Sequence, residues 1–265
     1  MISDFLLALL LACIQGLTEF LPISSSAHLQ LPELLLGTKN LGLVFDIAVH
    51  GGTLVAVIFY FKDDLRNLIQ AWLPWTGHRN KDQVALGLNL MIATMPIVFI
   101  GLIFSDSISS RDYTIEFIAW TNLIFAAFLF LAFKLSSQSK SLISMTIGMA
   151  FLIGCLQALA VFPGASRSGM AITGALLIGL NLKEGSQFAF LLSIPTILGA
   201  LVLGLIKADH IFNIDNFLIL MIGFLGSAII AFLTIKLFLQ FVERVGMTPF
   251  VLYRLGLGAV LLLLV

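Results

Sequence analysis

Gln15 and Glu19 lie four residues apart, so a helix that holds them puts both on one face. An amide oxygen beside a carboxylate offers oxygen ligands to a hard divalent cation, Mg²⁺ or Ca²⁺. Pro22 follows, and it stops a helix because it has no N–H and clashes with the preceding turn. Ser24, Ser25 and Ser26 then stand where the next helix begins, and hydroxyls with free backbone N–H groups at a helix start form an anion site. His28 falls in the first turn of that helix, in reach to take or give a proton.

A second polar stretch, Gln157–Thr173, is built alike: Pro163 and Gly164 break one helix, and Ser166, Arg167 and Ser168 start another. The planar fork of Arg167 suits phosphate oxygens. Two helix N-termini, an arginine and a cation converging on one cavity describe a site for a lipid phosphate or pyrophosphate. Plainer readings exist for each residue. Serine and proline also kink helices, His28 could bond between helices, and Glu19 and Arg167 could pair as a structural bridge. Asp46, His50 and Gly51-Gly52 read as helix-start and packing features, with His50 also able to line the cavity. Lys62, Asp63, Asp64 and Arg66 read as a solvated helix end, and Arg254 as a snorkelling interfacial residue.

The elements that carry these residues are membrane helices. The 265 residues are 60% hydrophobic and 11% charged with a mean hydropathy of +1.09, against roughly 25% charged in a soluble domain. Net charge is zero and no basic patch suggests nucleic acid. No cleavable signal is evident, because Ser3 and Asp4 stand where a basic start would be. Cys13 and Cys155 sit in apolar runs and read as core residues rather than a disulfide. Segments 43–61, 85–104, 116–133, 187–206, 217–241 and 249–265 meet or approach the ~20 residues needed to span. The pieces around the two polar stretches are too short or interrupted, and broken backbone at membrane depth must be buried in protein or line a cavity.

The expected fold is therefore an all-α polytopic integral membrane protein. About six spanning helices accompany two re-entrant helical hairpins, 1–37 and 143–181, in one membrane domain over 1–265. The hairpins resemble each other. Cys13, Gln15 and Phe20 match Cys155, Gln157 and Phe162 at an offset of 142, and a one-residue slip then matches Pro22 and Ser25 with Pro163 and Ser166. Repeat one covers about 1–104 and repeat two about 143–241. Three spans separate the hairpins, so the repeats should be inverted in the membrane. Placing Lys62, Arg66, Arg79, Lys81, Lys134, Lys140, Lys183 and Arg244 inside leaves only Lys39, Arg111 and Lys207 outside. Both termini would then be extracytoplasmic.

At these residues the chain resembles the undecaprenyl-pyrophosphate phosphatase family of the bacitracin-resistance type. The first family motif is matched by Gln15, Glu19, Phe20-Leu21-Pro22, Ser24-Ser25 and His28, and the second by Pro163-Gly164-Ala165-Ser166-Arg167-Ser168. The chain departs at position 15, a glutamine where many members carry glutamate. It departs again at Ala171, where the family threonine is expected, with Thr173 two residues on.

The resemblance implies hydrolysis of undecaprenyl pyrophosphate at the outer face of a bacterial plasma membrane, recycling a lipid carrier and conferring bacitracin resistance. Glu19, with Gln15, would hold the cation, and Ser25 would be the nucleophile with His28 or Glu19 as its base, the alternative being direct attack by water with Ser25 only binding phosphate. Arg167 would cradle the pyrophosphate with Ser24, Ser26, Ser166 and Ser168, and Thr173 would be a further contact. The partners would be the polyprenyl substrate, membrane lipid and, as an open case, a second copy of the chain in a homodimer. The competing reading is a flippase for undecaprenyl phosphate, because inverted repeats with broken helices are also what transporters use.

Overall fold

A computed structural model describes residues 2–73, 80–104, 113–207 and 217–264, with all their regular structure helical apart from one isolated bridge, Lys140 to Leu180. Arg79 and Arg111, on which part of the expected orientation rests, lie outside the described residues.

The first hairpin is α1 (Ile2–Thr18) and α2 (Ser25–Leu36). Next come α3 (Gly42–Tyr60), α4 (Lys62–Trp72), α5 (Lys81–Ile103) and α6 (Ile115–Leu135). The second hairpin is α7 (Ile147–Ala158), extended by a 3-10 turn at Leu159–Val161, and α8 (Arg167–Leu177). The chain closes with α9 (Leu182–Lys207), α10 (Phe217–Val245) and α11 (Thr248–Leu263).

Helices α3, α5, α6, α9 and α10 are long and apolar enough to cross a membrane, so the protein is multi-pass. The sixth expected span is α11, which has 16 residues and stays short of that length. The stretch after Lys62, expected as loop, contains α4, whose apolar face buries Leu68 and Ala71.

Packing crosses between the two halves. In the first half α1 lies mainly on α10, and in the second half α7 lies mainly on α5. Helix α3 is pressed against α10 because Gly52 has no side chain: a Cβ there would stand 2.1 Å from the Phe224 carbonyl oxygen and 2.2 Å from Ser227 Oγ. Phe20, fully buried just after Glu19, packs edge-on to Phe190 of α9 with ring centroids 5.3 Å apart. Such aromatic pairs contribute about 0.5–1.5 kcal/mol beyond burial. The first break is thereby anchored to the second half of the chain. Cys13 and Cys155 are both free thiols.

Candidate active site

Both hairpins break in the same way. Ser24 precedes α2 with φ 74° and Ser166 precedes α8 with φ 71°, a region that residues with a side chain rarely enter. Backbone strain of this kind costs about 1–3 kcal/mol and persists only where the surroundings enforce it. The two serines stand 142 positions apart, the offset that relates Gln15 to Gln157. At the helix starts themselves Ser25 stands level with Arg167, whereas the alignment of the prolines sets Ser25 against Ser166 with a one-residue slip. At the second break, Gly164 has φ +95°, and a Cβ there would lie 2.4 Å from Thr121 Oγ1.

The two breaks meet on one carboxylate. Glu19 is buried at the end of α1, and Arg167 Nη2 donates to its Oε1 at 2.7 Å. Ser25 Oγ donates to Glu19 Oε2 at 2.6 Å, and Gln15 Nε2 donates to the same oxygen at 3.0 Å. The first residues of two corresponding helices therefore grip opposite oxygens of one acid. Glu19 and Arg167 do pair, but the pair is not closed off: Ser25 remains partly exposed, and Arg167 keeps a buried Nη1 without a protein acceptor.

His28 is buried at the start of α2, and its ring nitrogens meet Ser24 and Tyr253. Its Nδ1 lies 2.7 Å from the Ser24 carbonyl, which can only accept, so Nδ1 carries a proton. In the neutral ring Nε2 is the acceptor, and the Tyr253 hydroxyl sits 2.6 Å from it. His50, on α3, approaches Glu19 instead. Its Nδ1 faces the Asp46 carbonyl at 2.8 Å, and its Nε2 stands 3.8 Å from Glu19 Oε2.

The remaining serines divide between open and inward-turned hydroxyls. Ser26 is exposed, with its hydroxyl 3.3 Å from that of Ser24, and Ser24 accepts from the Gly164 N–H at 3.2 Å across the two breaks. Ser166 caps α8 by accepting from the Gly169 N–H at 3.1 Å, and its Oγ lies 3.2 Å from that of Ser168. Buried Ser168 donates to the Leu21 carbonyl at 2.9 Å. Both hydroxyls thus brace the breaks. Thr173 is fully buried and donates to the Gly169 carbonyl one turn back. Helix α2, unlike α8, has no side-chain cap on its first turn, which leaves its N-terminal N–H groups to an anion.

A divalent cation has limited but suitable ligands here. Among the described residues no group of three or more His, Cys, Asp and Glu side chains could hold a metal. Gln15 Oε1, however, is a buried oxygen without a donor beside Glu19. One carboxylate and one amide oxygen, completed by phosphate oxygens, is the sparse protein share typical of Mg²⁺ at phosphate sites.

Arg254 departs most from the sequence expectation. It does not snorkel to an interface but is fully buried in α11, where its Nη2 donates to the Gly164 carbonyl at 2.6 Å and its Nη1 to the Pro22 carbonyl at 3.3 Å. Tyr253 beside it and Asn122 of α6 were equally unforeseen. An arginine within an apolar run is itself a signal, but its position near a chain end allowed the interfacial reading.

Comparison with known proteins identifies the family of the chain. The family model described as "Bacitracin resistance protein BacA" matches residues 8–260. A protein of Saccharophagus degradans named undecaprenyl-diphosphatase is 44% identical over 265 residues, covering 99% of this chain and 98% of its own. Proteins of the same name from Alcanivorax borkumensis and Teredinibacter turnerae are 45% and 44% identical over 98% and 99% of this chain, and 98% and 100% of their own. With the match running through both breaks and on to Tyr253 and Arg254, the chain belongs to the bacitracin resistance protein BacA family.

Proposed function

We propose that this protein hydrolyses undecaprenyl diphosphate to undecaprenyl phosphate and inorganic phosphate, and that the reaction takes place at Glu19. One observation carries the reading: Ser25 Oγ and Arg167 Nη2 contact the two oxygens of a single buried carboxylate, each delivered by the first turn of a broken helix. A structural ion pair needs no serine hydroxyl on its acid and leaves no buried guanidinium nitrogen unsatisfied.

Phosphoryl transfer needs mainly positioning and charge neutralisation. Arg167 Nη1 and the uncapped N–H groups of α2, with Ser26 at the open edge, receive the pyrophosphate. Ser25 attacks the terminal phosphorus while Glu19, already accepting its hydrogen bond, takes the proton. The bond to the bridging oxygen breaks, and the lipid monophosphate leaves. Glu19 passes its proton to the departing lipid phosphate. Water then attacks the phosphoserine and gives its proton to Glu19. The bond between Ser25 Oγ and phosphorus breaks, and Glu19 returns the proton to Ser25 Oγ as inorganic phosphate leaves. Glu19 and Gln15 Oε1 would hold a divalent cation, Mg²⁺ or Ca²⁺, which supplies charge neutralisation on phosphate oxygens. Both ring nitrogens of His28 are engaged, by Ser24 and Tyr253, so it supports the helix start while Glu19 serves as the base for Ser25.

The site belongs to two repeats, about 1–104 and 143–241, inverted in the membrane and meeting at their breaks. In a bacterial plasma membrane it faces the extracytoplasmic side, where the carrier is discharged, and a homodimer is compatible with the long apolar faces.

Phosphate release by detergent-purified protein, with and without chelator, tests the hydrolase. Cation-dependent release is expected. Folded protein that releases none with any divalent ion, yet moves undecaprenyl phosphate across vesicles, would establish the flippase instead.

A further inference from the structure

Arg254 has five N–H donors, and all five are used. Nε donates to Asn122 Oδ1 at 3.0 Å; Nη1 donates to the carbonyls of Pro22 at 3.3 Å and Ala165 at 3.2 Å; Nη2 donates to the carbonyls of Asn122 at 3.1 Å and Gly164 at 2.6 Å. Every acceptor is a neutral oxygen. Asn122 completes the ring by donating its own Nδ2 to the Arg254 carbonyl at 2.7 Å.

The choice of carbonyls is informative. Pro22 and Gly164 stand 142 positions apart, so Arg254 holds the same peptide unit in each break. Each is two residues before its strained serine and three before the residue that reaches Glu19. Placing a guanidinium in the apolar interior costs at least about 2.5–3.5 kcal/mol. For packing α11 alone, an apolar side chain of similar volume would serve without that cost. What an apolar side chain cannot do is tie two irregular backbone turns from opposite halves of the chain to one rigid plane.

We infer that Arg254, held by Asn122, is a positioning residue for phosphoryl transfer, fixing Ser25 and Arg167 in register on Glu19 by clamping both breaks. The inference rests on the hydrolase reading above. Arg254 acts through the backbone of the breaks rather than on the substrate. Its loss therefore affects alignment in the transition state, so kcat and kcat/KM fall together while KM holds. Lysine keeps the charge, but its three donors radiate from one point and cannot span both turns and Asn122.

The test is steady-state phosphate release from undecaprenyl diphosphate by wild type, Arg254→Lys, Arg254→Gln and Asn122→Ala, each checked for folding by gel filtration and thermal melting. Both Arg254 variants should lose about 10²-fold in kcat, the usual effect of a 1 Å misplacement, with KM within about threefold. Asn122→Ala, which leaves the guanidinium but removes its anchor, should lose about tenfold in kcat, and it carries the test if the Arg254 variants do not survive purification. Wild-type kcat in Arg254→Lys would reduce the role to charge and overturn the inference. So would variants whose KM rises with kcat unchanged. Wild-type protein that releases no phosphate at all would overturn the hydrolase reading, and the inference with it.

Discussion

Replacing Glu19 by glutamine changes one atom in the acid on which the site converges. Both carboxylate oxygens are occupied by donors: Arg167 on Oε1, Ser25 and Gln15 on Oε2. An amide offers one oxygen and one NH₂, so either orientation sets a donor against a donor. With the NH₂ towards Arg167, a largely buried guanidinium loses the carboxylate oxygen it donates to. Breaking one partner of such a pair costs about 3–5 kcal/mol. With the NH₂ towards Ser25, the hydroxyl loses its base, and general-base catalysis contributes about 10²–10⁴-fold. At 1.36 kcal/mol per tenfold, the ion-pair figure also corresponds to about 10²–10⁴. The two losses pass through the same carboxylate and do not add. Glu19→Gln should therefore lower kcat by about 10²–10⁴. The assay is steady-state release of inorganic phosphate from undecaprenyl diphosphate in detergent, with melting curves showing folded protein. Folded Glu19→Gln with more than about a tenth of wild-type kcat would refute Glu19 as base and anchor.

Two further outcomes follow from the same geometry. Gly164→Ala adds a Cβ 2.4 Å from Thr121 Oγ1 at φ +95°, so strain and overpacking should cost about 2–6 kcal/mol. Gly101→Ala meets nothing within 4 Å, so thermal melting should separate the two variants clearly, and equal melting points would contradict the packing of the second break. Tyr253→Phe removes the donor to His28 Nε2, worth about 0.5–1.5 kcal/mol, and should slow turnover by about 3–10-fold. Unchanged turnover would show that the His28–Tyr253 contact is idle in the reaction.

The helical frame and the two breaks were legible in the sequence because each has a local cause: proline and glycine end helices, and apolar length marks spans. Gln15, Glu19, Ser25 and Arg167 were legible because polar groups in an apolar run must be satisfied. Which atom meets which was not legible. Ser25 reaches Glu19 and His28 reaches Tyr253 because of a strained φ at Ser24 and the approach of α11, and both are properties of tertiary packing. The matching positions of the two breaks have a related cause. The two prolines align the letters with a slip, whereas the backbone aligns the left-handed serines without one. Arg254 was misread because its five acceptors are backbone carbonyls and an asparagine far away in sequence, which leave no motif of their own.

The central claim is that Ser25 attacks phosphorus with Glu19 as its base. Rapid acid quench of the protein with undecaprenyl diphosphate labelled in the terminal phosphate, followed by peptide mass spectrometry, tests it most directly. The account predicts a labelled phosphoserine at Ser25 that forms and decays at rates consistent with turnover and is absent from Ser25→Ala. Full turnover with no label on the protein at any quench time would contradict it and assign the attack to water.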